Sequence, residues 1–147
     1  MMHHAVYRNN FGLVKKLLDG GYYYETPDEQ GNTALHLAAQ QGLDPKLVEI
    51  LTHKIRIPTK NKENKTALHV ACASGFLEGV KVLMEHEDGT AILELEDNRK
   101  QTALLIASSS GNTDIVDYLI KKGADYHRRN LSKESALHIA ARYYYPT

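Results

Sequence analysis

One seven-residue pattern recurs along this chain and constrains its fold more than any other feature. It reads Thr33-Ala34-Leu35-His36-Leu37-Ala38-Ala39 and then Thr66-Ala67-Leu68-His69-Val70-Ala71-Cys72. The third copy is Thr102-Ala103-Leu104-Leu105-Ile106-Ala107-Ser108, and the fourth is Ser135-Ala136-Leu137-His138-Ile139-Ala140-Ala141. Successive copies begin 33, 36 and 33 residues apart. A further copy fits the start, where Met2-His3-His4-Ala5 lies 33 residues before Leu35-His36-Leu37-Ala38. Units of this length cannot bury their own apolar faces, so they must stack in a row.

Each unit reads as two short helices. Thr33, Thr66, Thr102 and Ser135 stand just before an apolar-periodic stretch, where a hydroxyl can cap free amides. The first helix has a small-residue face, such as Ala38 and Ala39 or Ala71 and Cys72, which lets neighbouring helices approach to about 8 Å. Gly42, Gly75 and Gly111 mark its end, with Asn9 as the substitute in the first unit. Amphipathic second runs follow at Leu13–Leu18, Leu47–Leu51, Val80–Met84 and Ile115–Ile120. Asp44-Pro45 and Asn112-Thr113-Asp114 read as their caps. The surplus residues of the third unit fall in His86–Glu96. Gly31 holds a turn position taken later by Asn64, Lys100 and Lys133; the two lysines predict less regular turns.

TALHLAAQQG and TALHVACASG resemble the ankyrin-repeat family, matching its T-P-L-H-x-A signature with Ala in place of Pro. The block GNTDIVDYLIKKGAD, Gly111 to Asp125, resembles that family's second helix and following loop. The resemblance implies an all-α ankyrin-repeat solenoid of stacked helix-turn-helix units joined by hairpin-like loops. It implies one array over 1–147, with repeats near 1–29, 30–62, 63–98 and 99–131 and a partial repeat at 132–147. Because the chain begins and ends inside repeats, it reads as an excised segment or as a protein capped by a partner.

Composition excludes several functions. Eighteen basic and 18 acidic residues balance, whereas proteins held to nucleic acid or anionic lipid by their overall field need a cationic surplus. No apolar run is long enough to span a membrane, and Met1 to Val14 has no long apolar stretch of the kind a secretory signal needs. One cysteine excludes an internal disulfide and a Cys-rich zinc site. The expected setting is intracellular, cytoplasmic or nuclear.

Candidate chemistry reduces to structure at most positions. His3, His36, His69 and His138 share one register, but stacked equivalents lie on the order of 10 Å apart and cannot share a metal whose donors sit about 2 Å away. The family resemblance gives these histidines a hydrogen bond to their own unit's Thr and to a neighbouring backbone. Cys72 reads as a small buried hydrophobe. Phosphate-loop, dinucleotide, zinc-protease and nucleophile-elbow motifs are all missing from the sequence. The expectation is therefore no enzyme, no metal and no cofactor.

Two further patterns bear on binding. The segment Asp19–Asn32 carries a net −4, Lys54–Lys65 +4, Glu85–Lys100 −4 and Lys121–Glu134 +3. Such alternation serves either mutual pairing of neighbouring loops or a striped edge selecting a complementary partner. Six of nine tyrosines cluster at Tyr22–Tyr24 and Tyr143–Tyr145, which suits either packing or an interface.

By resemblance, a partner protein binds along the concave side formed by turn tips and first helices. Carried over position by position, this selects Glu29, Gln30, Asn32, Gln40 and Gln41 in the second unit. The third gives Lys62, Glu63, Lys65, Ala73 and Ser74. The fourth gives Asn98, Arg99, Gln101, Ser109 and Ser110, and the fifth Leu131, Ser132, Glu134, Arg142 and Tyr143. The implied function is a non-catalytic protein-interaction module or scaffold. The alternatives are an inhibitor resembling the IκB group that masks a transcription factor, or a cytosolic ankyrin segment of a TRP-type channel or other larger protein. An enzyme carrying its catalytic domain outside this segment is a further possibility. No direct nucleic-acid contact and no membrane insertion by this segment are expected.

Overall fold

The computed structural model describes residues 2–8, 10–20, 27–42 and 44–144. Ten helices follow in order among them. They are α1 (Met2–Tyr7), α2 (Phe11–Asp19), α3 (Ala34–Gln41), α4 (Pro45–Thr52), α5 (Ala67–Ser74), α6 (Leu77–Glu85), α7 (Gly89–Ile92), α8 (Ala103–Ser109), α9 (Thr113–Lys121) and α10 (Ala136–Tyr144). No strand occurs among the described residues.

Two parallel rows of helices result. The first helices contact one another in sequence, α1 with α3, α3 with α5, α5 with α8, and α8 with α10. The second helices form the other row, α2 with α4, α4 with α6, and α6 with α9. This is the stacked solenoid that the repeat period demands. Small residues line the first row, with Ala34, Ala39, Ala71, Cys72, Ala103 and Ala107 all fully buried. Val14, Val48 and Val80 occupy one register of the second row and each is completely buried. Full burial of such a side chain contributes roughly 1.5–3 kcal/mol, so the core is one continuous strip rather than a central ball.

Caps end the helices largely as the sequence directs. Gly42 and Gly75 close α3 and α5 with φ of 64° and 76°. Asp44 accepts the Lys46 amide at 2.9 Å, and Pro45 takes the first helical position of α4. Asn9 and the Tyr22–Tyr24 cluster lie outside the described residues. Asn112 departs from its expected capping role. Its side-chain amide nitrogen donates instead to the Cys72 carbonyl at 2.8 Å, tying α9 to α5, the first helix of the preceding unit.

Four hairpin turns project from the first-helix side, and the predicted irregularity of two of them is corrected. Asp28, Asn61, Asp97 and Asn130 open the turns, and each amide bonds the carbonyl four residues on at 2.9–3.0 Å. The side-chain oxygens of Asp28, Asn61 and Asp97 each accept amides two and four residues later at 2.9–3.0 Å. Lys100 and Lys133 adopt φ of 59° and 63°, the same conformation as Gly31 at 79° and Asn64 at 61°. The local bonds that Asp97 and Asn130 form impose this geometry, against a left-handed penalty of roughly 1–2 kcal/mol for a residue with Cβ. Gly31 has a second constraint, because an added Cβ would sit 2.9 Å from the Lys62 amide nitrogen.

The surplus residues of the third unit fold as α7. Gly89 permits this, since a Cβ there would collide with the Met84 carbonyl. Ile92 and Leu93 are thereby delivered into the core, both at most 5% exposed.

Candidate protein-binding face

The turns are bonded into a ladder that fixes where their side chains lie. The Lys62 amide donates to the Gln30 carbonyl, Asn98 to Glu63, and Leu131 to Arg99, each at 3.0 Å. The Asn61 side chain adds a bond to Asn32 Oδ1 at 2.9 Å.

Buried histidines lock this ladder to the helices. His36 Nδ1 accepts the Thr33 amide at 3.1 Å and lies 3.0 Å from Thr33 Oγ1. Nδ1 is therefore unprotonated, and Nε2 carries the hydrogen that it donates to the Lys65 carbonyl at 2.8 Å. His69 repeats this geometry with Thr66 at 3.1 and 3.0 Å and the Gln101 carbonyl at 3.0 Å. His3 Nε2 lies 3.0 Å from the Asn32 carbonyl. Burial lowers the pKa of His36 and His69, outweighing the carbonyl bonds that favour the charged form. Leu105 breaks the series, so the junction between the last two turns lacks a histidine bridge. His138 still reaches Ser135 Oγ at 2.7 Å.

A groove of about 340 Å³ opens between the turns and the first helices. Its lining brings together the sequence-selected Asn32, Gln40, Glu63, Lys65, Ala73 and Ser74. Asn61, His36 and Val70 line it as well, although the sequence reading had not placed them in the site. Their selection would have required recognising that the turn-opening residue and the helix's inner turn share one wall. Ser74 Oγ donates to the Ala39 carbonyl at 3.1 Å and stitches two units together at the groove.

The other selected residues lie along the same edge rather than in the groove. Glu29, Gln30, Lys62, Asn98, Arg99, Leu131 and Ser132 are exposed on the four turns. Gln41, Ser109 and Ser110 cluster at first-helix ends, with Ser110 exposed and the other two half-buried. Gln101 is half-buried. Glu134 pairs with Arg142 at 2.9 Å. The side chain of Tyr143 lies outside the described residues, as do those of Tyr144 and Tyr145.

A second groove, of about 690 Å³, lies at the other end of the register and was not foreseen from sequence. Val116, Ile120, Tyr126 and Leu137 line it. Leu137 is 76% exposed, whereas Leu35, Leu68 and Leu104 at the same register are at most 1% exposed. This is the face that the next helix pair covers in each preceding unit.

Cys72 lies buried in α5. Burial pushes the Cys72 thiol far above its usual range, so it is held protonated. No cluster of three metal-ligating side chains forms among the described residues. No helix there is long and apolar enough to cross a membrane.

Comparison with known proteins agrees with this architecture. A family model described as ankyrin repeats (three copies) matches residues 2–92 and 90–146. The transient receptor potential cation channel subfamily A member 1 of Drosophila melanogaster is 36% identical over 117 residues, covering 78% of this chain and 10% of that protein. The nuclear factor NF-kappa-B p105 subunit of Gallus gallus is 31% identical over 144 residues, covering 95% of this chain and 14% of that protein. An L-asparaginase of Dirofilaria immitis is 26% identical over 140 residues, covering 95% of this chain and 23% of that protein. The chain thus spans a small part of the length of the relatives it matches.

Proposed function

The chain belongs to the ankyrin-repeat family, and from that premise we propose that it is a non-catalytic module that binds a partner protein along its concave edge. Ankyrin repeats are in general protein-interaction modules, and the convergence of Asn32, Gln40, Glu63, Lys65, Ala73 and Ser74 on one groove carries the proposal here. Gln40, Glu63, Lys65 and Ala73 lie outside the buried register, so the fold does not require those residue types, whereas Asn32 and Ser74 also bond neighbouring units. They offer amide, charged and small surfaces side by side, and such mixed chemistry suits a polypeptide with both backbone and side-chain groups. The proposed contact set extends along the ladder from Glu29 to Arg142.

Relatives named as a cation channel, a nuclear factor subunit and an L-asparaginase support a role as an interaction arm within differently named proteins. The intracellular setting is part of the same proposal.

The test is affinity capture with the array, followed by calorimetry of each captured protein after purification. Against those partners, a variant carrying Gln40→Trp, Gln41→Trp, Ser109→Trp and Ser110→Trp is expected to lose at least about tenfold in affinity, since bulk at an interface centre removes anchor contacts. Unchanged affinity for every captured protein would overturn the concave site.

A further inference from the structure

Exposed cations stand on three successive turns without an ion pair among the described residues. Arg128 bridges to Glu94 at 3.5 Å and Glu96 at 3.9 Å, and is the cation that pairs across neighbouring loop segments. Lys65 pairs with Glu63 of its own turn at 3.5 Å. Lys62, Arg99, Lys100 and Lys133 are exposed and have no ion pair within the described residues. The anions nearest them in sequence are already engaged. Asp97 is 6% exposed with Oδ1 accepting two amides, and Glu134 is held by Arg142. Mutual neutralisation of the loops therefore does not extend to these three turns. The first turn is opposite in sign, with Asp28 and Glu29.

We infer that the second to fourth turns form a cationic row that binds an extended acidic segment of a partner protein. The inference rests on the protein-binding reading of the concave edge and assigns the partner's chemistry. The ladder bonds place the three turns side by side, at the helix-packing interval of about 10 Å. An extended polypeptide in the polyproline II conformation advances about 3.1 Å per residue with three residues per turn, so carboxylates at every third position share one face and meet one turn each. Nucleic acid offers a phosphate about every 3.4 Å along each strand, a charge density that this row does not match. Asp28 and Glu29 at the first turn repel a continued anionic run, which fixes the partner's register.

The test uses the whole chain and two labelled peptides, one with Glu at every third position and one with Gln there, read by fluorescence anisotropy. Binding of the Glu peptide is expected to be at least about tenfold tighter and to weaken several-fold on raising salt from about 0.05 to 0.3 M. Reversing the row with Lys62→Glu, Arg99→Glu and Lys133→Glu should abolish that preference. The charge-matched control Lys15→Glu, Lys16→Glu and Lys121→Glu, on the second-helix row, should retain it. Equal binding of both peptides, or equal loss in the control, would overturn the inference. Tighter binding of an oligothymidine or of phosphatidylserine vesicles than of the Glu peptide would do so too. Captured partners that respond to the concave tryptophan variant but not to the row reversal would sink this inference and leave the proposed function standing.

Discussion

Replacing His69 by Leu removes one rung that joins a helix to the next turn, and the structure sets the size of the effect. Three contacts disappear: the Thr66 amide and hydroxyl to Nδ1, and Nε2 to the Gln101 carbonyl. Each net hydrogen bond is worth about 1 kcal/mol, and a buried amide left unpaired costs about 1–3 kcal/mol. Thr66 is fully buried, so its amide cannot turn to water. The new leucine returns about 1 kcal/mol of apolar burial, which leaves a net loss of about 2 kcal/mol. Leu105 shows that the register accepts a leucine without steric conflict, so the loss is one of bonding rather than of shape. Urea unfolding followed by circular dichroism should show this loss, with a melting temperature lower by roughly 4–8 °C. A loss below about 0.5 kcal/mol would refute the bridge as a stabilising element.

Other changes follow from the same geometry. Leu105→His should restore the missing bridge, toward the Glu134 carbonyl, and raise stability by about 1 kcal/mol; unchanged or lower stability in the same urea titration would argue against it. His36 and His69 titrate lower in the folded chain than the unfolded value of about 6.5. Their neutral form therefore stabilises fully above about pH 6.5, and stability falls as the pH drops below it toward their folded values. Urea midpoints at pH 7.5, 6.5 and 5.5 should decline across the last step, and less so in the His69→Leu variant. Gly31→Ala should cost more than about 1 kcal/mol, because φ is 79° and the Lys62 amide nitrogen would lie 2.9 Å from the new Cβ. Lys100→Gly, at φ 59°, should be neutral or stabilising by up to about 1 kcal/mol; thermal melts of both variants separate the two cases.

The repeat made the stacked architecture legible because burial dictates residue type. Leu35, Leu68 and Leu104 recur since each faces the next unit, and the bridging of His36 and His69 is what the family resemblance implies for that register. The turns at Lys100 and Lys133 were harder to read. Left-handed geometry there comes from the side chains of Asp97 and Asn130, three residues away, not from the lysines. The same applies to Asn112, whose partner Cys72 is 40 residues distant. Exposed positions such as Gln40 and Ala73 are not fixed by the core, so sequence alone selects them only by their place in the repeat. The groove needed coordinates to assemble, and the end face at Leu137 emerged only from comparing exposure at equivalent positions.

Binding along the concave edge requires that the turns and first helices, not the second helices, meet the partner. Backbone hydrogen exchange, compared with and without a purified bound partner, reads that directly. New protection at the first-helix ends around Gln40, Ala73 and Ser110 and on the turns between Lys62 and Lys133 is the expected result. Protection confined to the outer surfaces of α4, α6 and α9, with the turns unchanged, would contradict it.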